Sequence, residues 1–196
     1  MTDKHVTELH WLTAAEATRA FAAGKLSPVE LLQALLARIE QLDPKLNVFI
    51  HLDADAALDA ARAAEREIAA GHVRGPLHGV PVGIKDIIDV AGLPTTCHSK
   101  ILLDNVKTAD AVVVSKLRQA GAVILGKLST HEFALGGPSF DLPFPPARNP
   151  WNPAHHPAAP PPAPSPAAAP GCSRWRSAAT PAGRCATRPA PAASSG

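Results

Sequence analysis

The sequence predicts an α/β fold over residues 9–157, followed by a tail of different composition over 158–196. Three observations carry this. Capped amphipathic helices open the chain, short β-branched runs alternate with helix beyond Gly75, and Val, Ile, Leu, Phe and Met all disappear after residue 157.

The elements follow in order. Thr13-Ala-Ala-Glu16 has the form of a capping box, in which the hydroxyl accepts from a free backbone N–H and the carboxylate reaches back. The helix it opens should stop near Gly24. Ser27-Pro28-Val29-Glu30 repeats the device with proline at the first helical position. Leu31, Leu32, Leu35, Leu36 and Ile39 then share one face at helical spacing, and Asp43-Pro44 is expected to end the helix. A third helix, rich in Ala, is predicted from about Asp53 to Ala70, ending at Gly71. Beyond Gly75, the runs Val80–Ile84 and Ile87–Val90 read as buried strand and loop. Asp110–Gln119 reads as a helix ending at Gly121, and Val123–Leu125 as a parallel strand after it.

Charge divides the chain as sharply as hydropathy does. Residues 1–157 hold all 17 acidic side chains and 15 of the 19 Lys and Arg, whereas 158–196 hold Arg174, Arg176, Arg184 and Arg188 and no acid. The net charge of +2 therefore comes from the tail and does not describe a nucleic-acid-binding face. The longest apolar runs, such as Ala111–Val114, are too short to span a membrane, and the first residues lack the apolar stretch of a signal peptide. Cys97, Cys172 and Cys185 form no CxxC pair, so a reducing cytoplasm is the expected location.

In the tail, Ala and Pro make up 22 of 39 residues, and Trp175 is the one large apolar side chain. Such a segment buries too little surface to offset its ordering entropy, so 158–196 is expected to be disordered, with polyproline II character over Ala158–Pro170.

Four stretches carry a family resemblance. Leu77-His-Gly-Val-Pro-Val-Gly-Ile-Lys-Asp86 resembles the lysine motif of the amidase-signature family. The opening LSPVELLQALLARIEQLDPKLNVFI, the stretch Ala109–Gly137 and Arg148-Asn-Pro-Trp-Asn152 resemble the segments on either side of that motif, in the family's order. The resemblance covers residues 9–157. It implies a mixed β-sheet flanked by helices, here an incomplete copy of the family fold, and a small-molecule amide substrate with no metal or organic cofactor. Aryl amides, urea derivatives, amino-acid amides and the glutamine of a tRNA-dependent amidotransferase all stay open as substrates, and oligomeric state is open too.

The family's chemistry uses a Ser–cis-Ser–Lys triad. The resemblance implies that Lys85 is the general base, acting neutral and relaying through one serine to a nucleophilic second. A lysine amine must be depressed by burial to do this, and Val82, Gly83 and Ile84 suit such a pocket. The positions of the two serines, by register, are Pro160 and Arg184. Proline has no hydroxyl and arginine is no nucleophile near neutral pH, so this chain is expected to lack amidase activity.

A single lost base near codon 157 accounts for the substitution. Gly-Gly-Ser-Ser-Ser-Gly-Ser in GC-rich codons, read one base out of frame, becomes Ala-Ala-Pro-Pro-Pro-Ala-Pro, which is Ala158–Pro164. The family's Leu-Gly-Ser-Asp-Thr-Gly-Gly-Ser stretch and its continuation become Ser177–Pro189 in the same way. The incomplete domain is also expected to leave a sheet edge and apolar helix faces uncovered.

Other candidates read as structural. Cys97-His98 has no second ligand pair at metal spacing and is assigned to a loop, as is His155-His156. Lys127 and Glu132 are read as setting a strand-to-helix connection, and Trp151 as a packing residue. A different class of function, docking to a PPII-binding partner, would use the PxxP matches Pro157–Pro160 and Pro161–Pro164.

Overall fold

A computed structural model describes residues 9–137 and 139–155. The tail, with Pro160, Arg184 and both PxxP matches, lies outside the described residues, as does His156.

Both capping boxes form as their sequences dictate. Glu16 N–H donates to Thr13 Oγ1 at 3.2 Å while its carboxylate accepts from Thr13 N at 2.6 Å, opening α1 (Ala14–Ala22). Ser27 and Glu30 make the same reciprocal pair at 3.1 and 2.9 Å, opening α2 (Pro28–Leu46). Each pair satisfies two backbone donors that a helix start leaves orphaned.

The expectation that Asp43-Pro44 ends α2 is corrected: the helix continues to Leu46 with Pro44 inside its last turn. Termination comes instead from Asn47, left-handed at φ 52°, whose N–H donates to Asp43 O at 2.8 Å. The Asp43 carboxylate then accepts from Val48 N at 2.7 Å and Phe49 N at 3.2 Å, turning the chain into β1 (Phe49–Leu52). Burial pushes the Asp43 carboxyl upward, partly opposed by these two N–H donors. The sequence reading did not identify β1.

The Ala-rich helix α3 (Ala54–Ala69) starts and stops as predicted, capped by Asp53 and followed by Gly71 at φ 80°. β2 (Pro81–Lys85) falls on the first β-branched run. The second run, Ile87–Val90, is turn and loop rather than strand: Ile88 N donates back to Lys85 O at 3.0 Å, and Ile87 is exposed while Val90 is buried. α4 (Val112–Gln119) begins two residues later than predicted. The carboxylate of Asp110 does not cap it but accepts from Ala91 N at 2.8 Å and Arg118 Nε at 2.9 Å.

β3 (Val123–Leu128) is the centre of a three-stranded sheet of order β1-β3-β2, antiparallel to β1 and parallel to β2. The strand is buried throughout, as a strand covered on both faces must be. Its side chains alternate between two clusters. Ile124 packs with Phe21, Leu31, Leu35, Val82, Ile84, Val114 and Leu117, while Val123 and Leu125 pack with Leu32, Ala57 and Ala61 of α2 and α3. The mixed sheet between helices is the architecture the sequence predicted. Trp151 is a correction: it is 80% exposed and packs no core, its backbone N–H donating to Asn149 Oδ1 in a tight turn.

Candidate active site

β2 and β3 run parallel and end together, and the residues at those ends form the candidate site. Ligand sites of open α/β sheets lie at the carboxyl ends of parallel strands. Lys85 is the last residue of β2, in register with Leu128 at the end of β3. The Leu128 side chain folds over Gly83, where a Cβ would stand 2.8 Å from Leu128 Cδ1. Lys85 is half-buried, and this burial holds its amine below the usual lysine value of 10.5. Desolvation penalises the ammonium and leaves the free amine unpenalised.

The next residue, Asp86, is fully buried, and its polar atoms other than Oδ1 are hydrogen-bonded. Its N–H donates to Leu128 O at 3.0 Å, and its carbonyl accepts from Cys97 N at 3.0 Å. Oδ2 accepts from Thr96 N at 3.1 Å and from the Thr96 hydroxyl. Oδ1 faces Lys127 Nζ at 2.9 Å, an ionic contact whose angle does not meet hydrogen-bond geometry. Lys127 Nζ also donates to Thr95 Oγ1 at 2.8 Å and Pro94 O at 3.0 Å.

Lys127 therefore does not set a strand-to-helix connection. It lies inside β3, with its side chain fully buried against Asp86. Sequence reasoning missed this pair, and the available signal was a lone charge within the apolar run Val123-Ile-Leu-Gly-Lys-Leu128. Such a charge in a strand buried on both faces needs a buried counter-charge. Glu132 does sit at the start of a short 3-10 turn (Glu132–Ala134), where it accepts from Ser99 Oγ at 2.7 Å.

The loop holding Thr95–Ser99 packs beneath this end of the sheet. Cys97 and His98 are loop residues as predicted, both left-handed at φ 51° and 57°. His98 is buried, with Nε2 2.9 Å from Phe144 O and Nδ1 against Thr130 O. Burial pushes the Cys97 thiol up, reinforced by Asp86, which keeps it protonated and a poor nucleophile. His155 is exposed, as predicted for a solvated loop. A separate groove of about 670 Å³ between α2, β1 and Phe144 includes neither Lys85 nor Asp86 in its lining. Among the described residues, no cluster of His, Cys, Asp and Glu could hold a metal ion, and no helix is long and apolar enough to cross a membrane.

The end of β2 thus presents a half-buried amine whose burial lowers its proton affinity, one residue before the buried Asp86–Lys127 pair. Comparison with known proteins supplies the class: the amidase family profile matches residues 30–159, and this chain belongs to the amidase-signature family. Its relatives include a glutamyl-tRNA(Gln) amidotransferase subunit of Geobacter metallireducens, 49% identical over 145 residues that cover 74% of this chain and 30% of that protein. The same subunit of Acidothermus cellulolyticus is 47% identical over 140 residues, which are 71% of this chain and 28% of the relative. Among solved structures, the native peptide amidase of Stenotrophomonas maltophilia superposes with TM-score 0.66 at 36% identity, over 73% of this chain and 31% of that one. A bacterial aryl acylamidase superposes with TM-score 0.67 at 31% identity, over 74% and 30%. The chain thus spans about three-tenths of the length of the relatives it matches.

Proposed function

We infer that residues 9–157 carry the general-base part of an amide-hydrolysing site, with Lys85 as the proton acceptor, and that this chain by itself turns over no amide. The observation that supports the base assignment is the burial of the Lys85 amine at the end of β2, which lowers its proton affinity. In the reaction, neutral Lys85 takes a proton through one serine from a second, whose oxygen attacks the amide carbonyl. The acyl-enzyme forms, the amine leaves with the relayed proton, and water completes hydrolysis. Pro160 and Arg184 stand where the two serines would be. Without a nucleophile, the base has no proton to take. The substrate class is a small-molecule amide, and a Ser–cis-Ser–Lys relay works without a metal or organic cofactor; the location is the cytoplasm.

The test compares two proteins. One is the present chain; the other is encoded by the gene with one base restored near codon 157. The restored product is expected to hydrolyse simple aryl amides, with loss of turnover on Lys85→Ala, while the present chain is inert. Amide cleavage by the present chain that vanishes with Lys85→Ala would overturn the inactivity. A restored product indifferent to Lys85 would overturn the base assignment.

A further inference from the structure

His78 is a buried titratable group that the reaction assigned to Lys85 does not use. It stands just before β2 and is 2% exposed. Both ring nitrogens are engaged. Nδ1 accepts from Arg74 N–H at 3.1 Å, and Nε2 lies 3.1 Å from Glu67 Oε2 on α3. The first contact fixes the tautomer. A ring nitrogen that accepts carries no proton, so the neutral imidazole bears its hydrogen on Nε2, facing the carboxylate. The ring also fills the space over Gly121, just after α4, where a Cβ would stand 2.3 Å from His78 Cδ2. Arg74 is held a second time through its side chain: Nε donates to Glu67 Oε2 at 2.7 Å and Nη2 donates to Oε1. That ion pair is well exposed to solvent, and exposed pairs contribute little. The buried backbone contact to His78 is therefore the firmer hold on the connection 70–80 between α3 and β2.

We propose that His78 is an acid-released latch on the connection 70–80: a proton taken up at Nδ1 abolishes the acceptor for Arg74 N–H, sets two donors against each other and frees the Arg74 segment from the base of the sheet. The charged groups around the ring act in both directions. Glu67 of α3 favours the imidazolium, and Arg74 opposes it. His72, exposed in the same connection, acts on Glu67. From the α4 side, Arg118 offers its carbonyl to Arg74 Nη1 at 3.5 Å, and its guanidinium is turned to Asp110 at 2.9 Å. Burial outweighs the attraction of Glu67 and holds His78 below its usual 6.5. Arg74 holds the Glu67 carboxyl below its own usual value, so it stays ionised while His78 titrates. The unfolded chain takes up the histidine proton near 6.5 and the folded chain only at lower pH. The latch is therefore complete above 6.5, and its contribution is lost as pH falls from there through the folded value.

The experiment uses the full chain labelled with nitrogen-15, taken from about pH 7.5 to about pH 5. Long-range proton–nitrogen spectra of the imidazoles read the tautomer and titration of His78, with exposed His72 as internal reference. Hydrogen exchange of the Arg74 amide, corrected for the pH dependence of intrinsic exchange, reads the latch. At the upper pH His78 should carry its proton on Nε2, and its midpoint should lie below that of His72. Protection of the Arg74 amide should fall roughly tenfold across the His78 titration, while amides inside α3 and β3 keep theirs. His78→Asn places a side-chain oxygen where Nδ1 stands and does not titrate, so it should hold the Arg74 amide protected over the whole range. Where His78→Asn fails to fold, the parent spectra alone carry the test. A neutral ring protonated on Nδ1, Arg74 protection that does not follow the His78 titration, or His78→Asn losing protection with the parent's pH dependence would overturn the proposal.

Discussion

Gly126 of β3 lies against the backbone of His51 in β1: a Cβ at position 126 would stand 2.2 Å from the His51 carbonyl oxygen. Gly126 also has φ 143°, a conformation that side-chain-bearing residues rarely adopt. The two constraints share one origin. β2 and β1 both depart from regular register here, between Val82 and Gly83 and between Phe49 and His51, and β3 bends between them. Gly126→Ala is therefore expected to destabilise the domain by about 3 kcal/mol or more. Denaturant unfolding with unchanged m-value would read it, and a loss under about 1 kcal/mol would mean that the strands separate at little cost.

The capping box at Ser27 predicts a smaller, local effect. Ser27→Ala removes the acceptor for Glu30 N but leaves α2 its leucine face, with Leu31, Leu32 and Leu35 buried. The expected loss is about 1 kcal/mol. Ser27→Asp should retain most of that stability, since its carboxylate can accept the same N–H. A urea titration of the three proteins should rank them parent, Asp, Ala, and an alanine variant equal to the parent would show that tertiary packing alone sets the start of α2.

His98 ties two distant segments together. Its Nε2 lies 2.9 Å from Phe144 O, its ring lies 5.6 Å from the Phe144 ring, and Nδ1 meets Thr130 O. His98→Ala leaves two backbone carbonyls without their side-chain partner and removes the ring contact. Limited chymotrypsin digestion should then cut faster after Phe140, while the helices α1–α3 keep their protection. Unchanged cleavage there would mean that the Phe144 segment is held by its other contacts.

The helices were legible because their signals are local. A hydroxyl three residues before a carboxylate, or a glycine after an amphipathic run, states its own boundary, as at Ser27, Asp53 and Gly71. The parallel strand was legible from an apolar run after a helix, and the order of motifs singled out Lys85. What was not legible depends on contacts far apart in sequence. β1 has only four residues, and its entry is set by Asp43 and the left-handed Asn47 rather than by a strand pattern. The Asp86–Lys127 pair joins the residue after β2 to one inside β3, and nothing in either local sequence names the other. Pro44 misled for a related reason. A missing N–H in the last helical turn costs little when the next residues close the helix through Asn47.

The composition break at residue 157 makes a prediction about the gene. Sequencing through codons 150–200 should show one missing base near codon 157, with an open frame continuing in the other register and encoding the serine-bearing Gly-Ser-Asp-Thr-Gly-Gly-Ser stretch. An Ala/Pro-rich ending confirmed in frame in a transcript, with no such second frame, would leave the PxxP matches as the better account of the tail.

The lowered proton affinity of Lys85 also fixes how stability should vary with pH. Burial depresses its folded-state value below 10.5, the value expected in the unfolded chain. Between those two values the unfolded chain binds the proton that the folded chain has released, so unfolding free energy rises with pH across that window. Below the folded value both states carry the charge, and the native state bears the full cost of burying an ammonium. Lys85→Met removes the titrating group, so its stability should exceed the parent's at neutral pH, and the difference should shrink as pH rises toward 10.5. Because Lys85 is only half-buried, solvent screening keeps the gain at neutral pH modest. Urea unfolding of both proteins at intervals from about pH 6 to 10 measures it. Parallel stability curves would show that the amine at the end of β2 titrates as an ordinary solvated lysine, with no base poised there.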